Sequence, residues 1–112
     1  MQLDDVRTFE LHADFCKILS SAKRLMIIEL LAKKEMSVSE IAQALNLQHS
    51  NISQHLTVLR SRNVVESRKE GQTVYYRLTN AKLPKVCVEI RRILLEGMAK
   101  RGNKAERLIG TK

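Results

Sequence analysis

From Ser37 to Leu78 the apolar positions change period once, and that change divides the segment into two helices and a hairpin. Ile41, Ala42, Ala44 and Leu45 form the inward stripe of a short helix of about two turns. Ser37 and Glu40 have the S-x-x-E spacing of a capping box, in which each side chain takes up a backbone N–H left free at the helix start. Met36 and Ile41 can close a hydrophobic staple over it. Asn46 follows, and asparagine is the non-glycine residue that best tolerates the left-handed conformation ending a helix. A second helix is predicted over roughly 49–62, with Ile52, Leu56 and Leu59 inward and His55 at the edge of the stripe. Two helices joined by so short a turn make a helix-turn-helix. Beyond Val64 the period falls to two: β-prone runs meet at Glu70-Gly71-Gln72, where Gly71 can supply positive φ, and Val74, Tyr76 and Leu78 alternate toward the core of a hairpin.

The outer face of the second helix carries Ser50, Gln54, Thr57 and Ser61, flanked by Asn51 and Ser53. These are short, uncharged groups that both donate and accept hydrogen bonds, and they suit base edges and phosphates in a major groove. Polar solvated surface is the plainer account of such a face. The hairpin tip gathers Arg68, Lys69 and Gln72, which either solubilise the turn or reach a phosphate or the minor groove. A basic hairpin directly after a helix-turn-helix favours the DNA-contacting reading of both. Candidate contacts are therefore Ser50, Asn51, Ser53, Gln54 and His49 for base readout. Arg60, Arg68, Lys69 and Gln72 are candidates for the backbone, and Thr57 completes the contact face.

The terminal helices are apolar on more than one side. Val6, Phe9, Ala13 and Cys16 line one face of the first, and Leu11, Phe15 and Ile18 another; Leu83, Val86, Cys87, Ile90, Leu94 and Met98 recur along the last. Such helices need two neighbours, which predicts a homodimer formed through them. The expected fold is mainly α with a β-hairpin (α+β): a winged helix-turn-helix of four helices, two strands and a fifth helix. Residues 1–98 are expected to form one DNA-binding and dimerisation domain. Residues 99–112 form a basic, flexible tail that either touches phosphates or merely solubilises.

Residues from about Phe15 to Leu94 resemble the ArsR family of small winged-helix transcriptional repressors. The resemblance is carried by the run from Leu19 to Leu31, by Ser37-Val38-Ser39-Glu40-Ile41-Ala42, by the run from Ser50 to Arg60, which is similar to the family's recognition helix, and by Val74-Tyr75-Tyr76-Arg77-Leu78 in its wing. It implies a homodimer that represses a promoter and releases it when an effector binds. Ser37 and Ser39 stand where the metal-sensing branch has cysteines, so a thiolate site for arsenic, lead or cadmium cannot form there. No histidine follows His55, which removes the Asp/His set that zinc and nickel sensors place on the last helix. Gln48 and Ala22 replace a common serine cap and a common proline without threatening the fold.

The net charge of +8 over 112 residues suits a polyanionic partner, double-stranded DNA above all, and its distribution sharpens the point. Residues 1–20 hold two basic against four acidic groups, net −2, whereas residues 81–112 hold nine basic against three acidic, net +6. No targeting segment is apparent, and no apolar run approaches the ~18 residues of a membrane span, so a cytoplasmic protein without a membrane partner is expected. The chain has four glycines and no P-loop, H-E-x-x-H, G-x-S-x-G or dinucleotide fingerprint, which argues against an enzyme and calls for no cofactor.

Cys16 and Cys87 stand 71 positions apart, too far for a C-x-x-C site. They are nonetheless the candidate effector groups, as a redox or sulfide-responsive pair or, with His12 one turn before Cys16, as a soft-metal site. Buried cysteine also serves simply as a small hydrophobe. The identity of any effector stays open, as does a winged helix serving as a protein or RNA interaction module.

Overall fold

The computed structural model describes residues 5–101. Residues 102–112, most of the expected tail, lie outside the described residues. The chain divides into two compact units, Met1–Asn80 and Ala81–Lys112.

In the first unit, α1 (Val6–Ile18) starts at Asp5, whose carboxylate accepts from the Thr8 backbone N–H at 3.1 Å. Helix α2 (Ala22–Leu31) starts at Ser21, whose hydroxyl caps Arg24 N–H, and contributes Ile27, Ile28 and Leu31 to the core. Then come β1 (Met36–Ser37), α3 (Val38–Leu45), α4 (His49–Ser61), β2 (Val65–Glu70) and β3 (Thr73–Leu78).

The capping box forms as its spacing requires. Ser37 N–H donates to Glu40 Oε1 at 2.9 Å, and Glu40 N–H donates to Ser37 Oγ at 3.2 Å. Met36 and Ile41 are both buried beside it. Of the expected α3 stripe, Ala44 is exposed and Leu45 half-buried, because a helix of 8 residues inserts only Ile41 and Ala42 fully. Asn46 takes φ 55° and ψ 49°, which turns the chain into α4. A second left-handed residue, Asn63 at φ 59°, ends α4, and Val64 N–H returns to Leu59 O at 2.9 Å. The hairpin turns at Gly71, φ 62°.

The sheet has three strands in the order β1-β3-β2, where the sequence suggested two. Met36 pairs with Tyr76 and Ser37 with Tyr75, so the two residues that begin α3 also tie it to the wing. The strands β2 and β3 pair from Val65↔Leu78 to Glu70↔Thr73. Ile27, Ile28, Ile41, Ile52, Leu56, Leu59 and Val65 are the largest fully buried side chains, and they hold α2, α3, α4 and the base of the wing around one core.

The second unit is α5 (Lys82–Lys100). Proline fits its first turn, where a missing N–H costs nothing, and Pro84 and Cys87 are its buried residues. Val86, Ile90, Ile93 and Leu94 are exposed, so the buried face is not centred on the Leu83–Leu94 stripe that the spacing picks out. In α1, Val6, Phe9 and Leu11 are likewise exposed. Among the described residues no helix is long and apolar enough to cross a membrane.

Candidate nucleic-acid interface

Helix α4 is two-faced. Ile52, Leu56 and Leu59 anchor it, and opposite them His49, Ser50, Ser53, Gln54, Thr57, Arg60 and Ser61 are exposed. The helix is therefore held from one side only and offers seven side chains with hydrogen-bonding groups to solvent. Thr57 Oγ1 donates back to Ser53 O at 2.9 Å and Ser61 Oγ to Val58 O at 2.7 Å, which leaves each oxygen facing outward as an acceptor. Asn51 differs from the rest of its group: it is half-buried, and its Oδ1 is buried without a donor among the described residues.

His55, at the edge of the stripe, is a packing group with one defined partner. Arg24 Nε on α2 donates to His55 Nδ1 at 3.2 Å, and Arg24 Nη1 donates to Ile18 O at 3.2 Å. Burial, then the positive charges of Arg24 and Lys23, hold the imidazole below its ordinary value near 6.5, so the neutral, accepting form is favoured. One arginine thus joins the end of α1, the start of α2 and the middle of α4.

The wing separates its cations by strand alternation. Val65, Ser67 and Lys69 share one face of β2, the face that carries the buried Val65; Glu66, Arg68 and Glu70 share the other. Arg68, expected to hold a DNA backbone, has partners within the chain. Its Nε–H donates to Glu35 Oε1 at 2.6 Å and its Nη1 to Glu70 Oε1 at 2.6 Å, while Nη2 meets the same Glu35 oxygen. The guanidinium carbon lies 4.9 Å from the centre of the Tyr75 ring. The hydrogen bond from Arg68 holds the Glu35 carboxyl below its usual range, and the two carboxylates raise the arginine further. Beside this group Arg77 Nε donates to Glu66 Oε2 at 2.6 Å. Lys69 and Gln72, at the tip, and Arg60 on α4 are exposed, and among the described residues no carboxylate pairs with either cation. Sequence reasoning missed the pairing of Glu35 with Arg68, since 33 positions separate them and only the β1 pairing brings them together.

Cys16 and His12 are exposed on α1, and Cys87 is buried on α5. Among the described residues no three His, Cys, Asp or Glu side chains gather as metal ligands.

A family model described as "Bacterial regulatory protein, arsR family" matches residues 21–67, from the cap of α2 into the wing. The transcriptional regulator Rv0081 of Mycobacterium tuberculosis is 32% identical over 94 residues, which cover 83% of this chain and 82% of that protein. The chain belongs to the ArsR family. The crystal structure of Rv0081 matches with a TM-score of 0.75 at 32% identity, over 84% of this chain and 95% of that one. The solution structure of the homodimeric winged helix-turn-helix DNA-binding domain of Mb0332 from Mycobacterium bovis matches with a TM-score of 0.73 at 28% identity, over 88% and 91%. The nodulation protein NolR of Rhizobium meliloti is 42% identical over 67 residues, 60% of this chain; the match spans about half of NolR's own length, 55%. These ArsR-family relatives are regulators and not enzymes, and the winged helix-turn-helix described above is their shared architecture.

Proposed function

We propose that this chain is a sequence-specific DNA-binding transcriptional regulator, a homodimeric repressor that lays its two α4 helices into successive major grooves of an inverted repeat. The observation that carries the reading is the outward face of α4: His49, Ser50, Ser53, Gln54 and Thr57 are exposed, as are Arg60 on the same helix and Lys69 on the wing, two cations that have no carboxylate partner among the described residues. Gln54 and the serines read base edges, with Asn51 a more restricted contributor from its half-buried position, while Arg60, Lys69 and Gln72 hold phosphates. Residues 1–98 carry both the reading and the dimerising surfaces. An interaction module would expose apolar groups on this face, and α4 exposes none there.

Dimerisation is supported by the exposed Val6, Phe9 and Leu11 of α1 and by Val86, Ile90, Ile93 and Leu94 of α5, and by the homodimer described for Mb0332. Control is assigned to the two thiols: exposed Cys16 is the group that an oxidant or a sulfide donor reaches first, with buried Cys87 as the second. For the alternative of a soft-metal site through His12, Cys16 and Cys87, no ligand cluster gathers among the described residues. The test is selection of bound fragments from a random duplex pool. An inverted repeat with half-sites about one helical turn apart is expected, bound equally well by reduced protein and by a Cys16→Ser/Cys87→Ser variant, and less well after oxidation of the former only. Recovery of unrelated sequences would contradict the DNA-reading assignment, and equal affinity of oxidised and reduced protein would remove the thiol control.

A further inference from the structure

Arg68 is one of the candidate phosphate contacts of the wing, yet it is the most thoroughly occupied cation there. Glu35 takes its Nε and Nη2, Glu70 takes Nη1, and Tyr75 covers one face of the guanidinium. An incoming phosphate would have to displace charge-assisted bonds from the same fork geometry that it would itself use. With Glu66 and Arg77 adjacent, this face of the sheet holds three carboxylates against two guanidiniums, so it repels a polyanion overall. Lys69, on the opposite face of β2, meets no such competition.

Resting on the DNA-binding reading above, we propose that Glu35, with Glu70, masks Arg68 from phosphate and thereby sets the sequence-independent part of the affinity for DNA. Backbone contacts add affinity without sequence preference, whereas the side chains of α4 discriminate. Keeping one strong phosphate ligand per subunit out of use lowers binding to operator and random duplex alike, without altering the preference that base readout sets. Replacing Glu35 by glutamine removes the charge that holds the Nε–Nη2 edge and leaves Arg68 with Glu70 alone. The guanidinium edge best shaped for bidentate phosphate contact then becomes available.

The experiment measures affinity for a random duplex and for the selected operator between about 50 and 200 mM salt, for the wild type, Glu35→Gln, Arg68→Gln and the double variant. Glu35→Gln is expected to bind the random duplex about three- to tenfold more tightly at the low-salt end. Its log-affinity against log-salt slope steepens by about 0.9 for each subunit bound, and operator affinity rises by a similar factor, so the operator-to-random ratio stays unchanged. Arg68→Gln alone leaves the wild-type slope in place, and in the Glu35→Gln background it returns the slope to the wild-type value. Exposed ion pairs add little to stability, so these variants should fold, as thermal melts will check; Glu35→Ala, which frees the same Nε–Nη2 edge, gives the same comparison should Glu35→Gln unfold. Arg68→Gln flattening the slope of otherwise wild-type protein would overturn the proposal, as would an unchanged Glu35→Gln. Failure of the underlying reading looks different: wild-type protein would show no operator preference and Lys69→Gln no change in slope.

Discussion

Arg24 Nε on α2 and His55 Nδ1 on α4 lie 3.2 Å apart, one donating and the other accepting, so a side chain of the DNA-facing helix is held by a cation that its own protonation would repel. Because burial and then the charges of Arg24 and Lys23 lower the His55 pKa, the unfolded chain binds the proton more readily than the folded one. The stabilising contribution is present above the unfolded value near 6.5 and is lost as pH falls from there through the lower folded value. Melting temperature should drop between pH 7.5 and 5, and His55→Gln should flatten that dependence. Parallel profiles for the two proteins would show that His55 does not set it.

Gln54 is exposed at the centre of the α4 face. Gln54→Ala should weaken operator binding by about 1–3 kcal/mol while largely sparing random duplex, as read by competition binding at fixed salt. Loss of both to the same extent would assign Gln54 to the backbone.

Lys69 is the wing cation without a carboxylate partner among the described residues. Lys69→Gln should weaken binding to operator and random duplex alike and reduce the salt slope by about 1 for each subunit bound. An unaltered slope would mean that the wing tip stays clear of phosphate.

Ser37 serves as cap, as strand residue and as partner of Tyr75. Ser37→Ala removes the bond to Glu40 N–H and should cost about 1 kcal/mol in denaturant unfolding. Gly71→Ala should cost a similar amount, about 1–2 kcal/mol, since the added methyl meets nothing within 4 Å and only the φ of 62° opposes it. Gly71→Asn should recover part of the loss.

Ile90 and Leu94 of α5 are 57% and 59% exposed in the single chain. Ile90→Asp/Leu94→Asp should shift sedimentation from dimer to monomer with helix content unchanged. A variant that remains dimeric would move the interface elsewhere.

Much of this fold was legible because its signals are local. The Ser37–Glu40 box, the left-handed Asn46 and the positive φ of Gly71 each depend on chemistry within a few residues. The Ile52–Leu56–Leu59 stripe likewise emerged from spacing alone and fixed which side of α4 faces out. What escaped depends on distant pairing. β1 is two residues long and exists through Tyr75 and Tyr76, so the chain offers no local sign that Glu35 meets Arg68. Asn63 gave no sign of its left-handed turn, because asparagine at a helix end is also common in ordinary backbone conformations. In α5 an apolar run with two usable faces left the phase of burial undetermined, and the structure buries Pro84 and Cys87 while Ile90 and Leu94 stay exposed.

Footprinting of a selected fragment with protein of measured stoichiometry tests the central claim most directly. The account predicts one dimer per site and two protected patches about one helical turn apart on an inverted repeat, both lost when a half-site is scrambled. Monomeric protein with the same affinity for operator and scrambled duplex at low salt would contradict it.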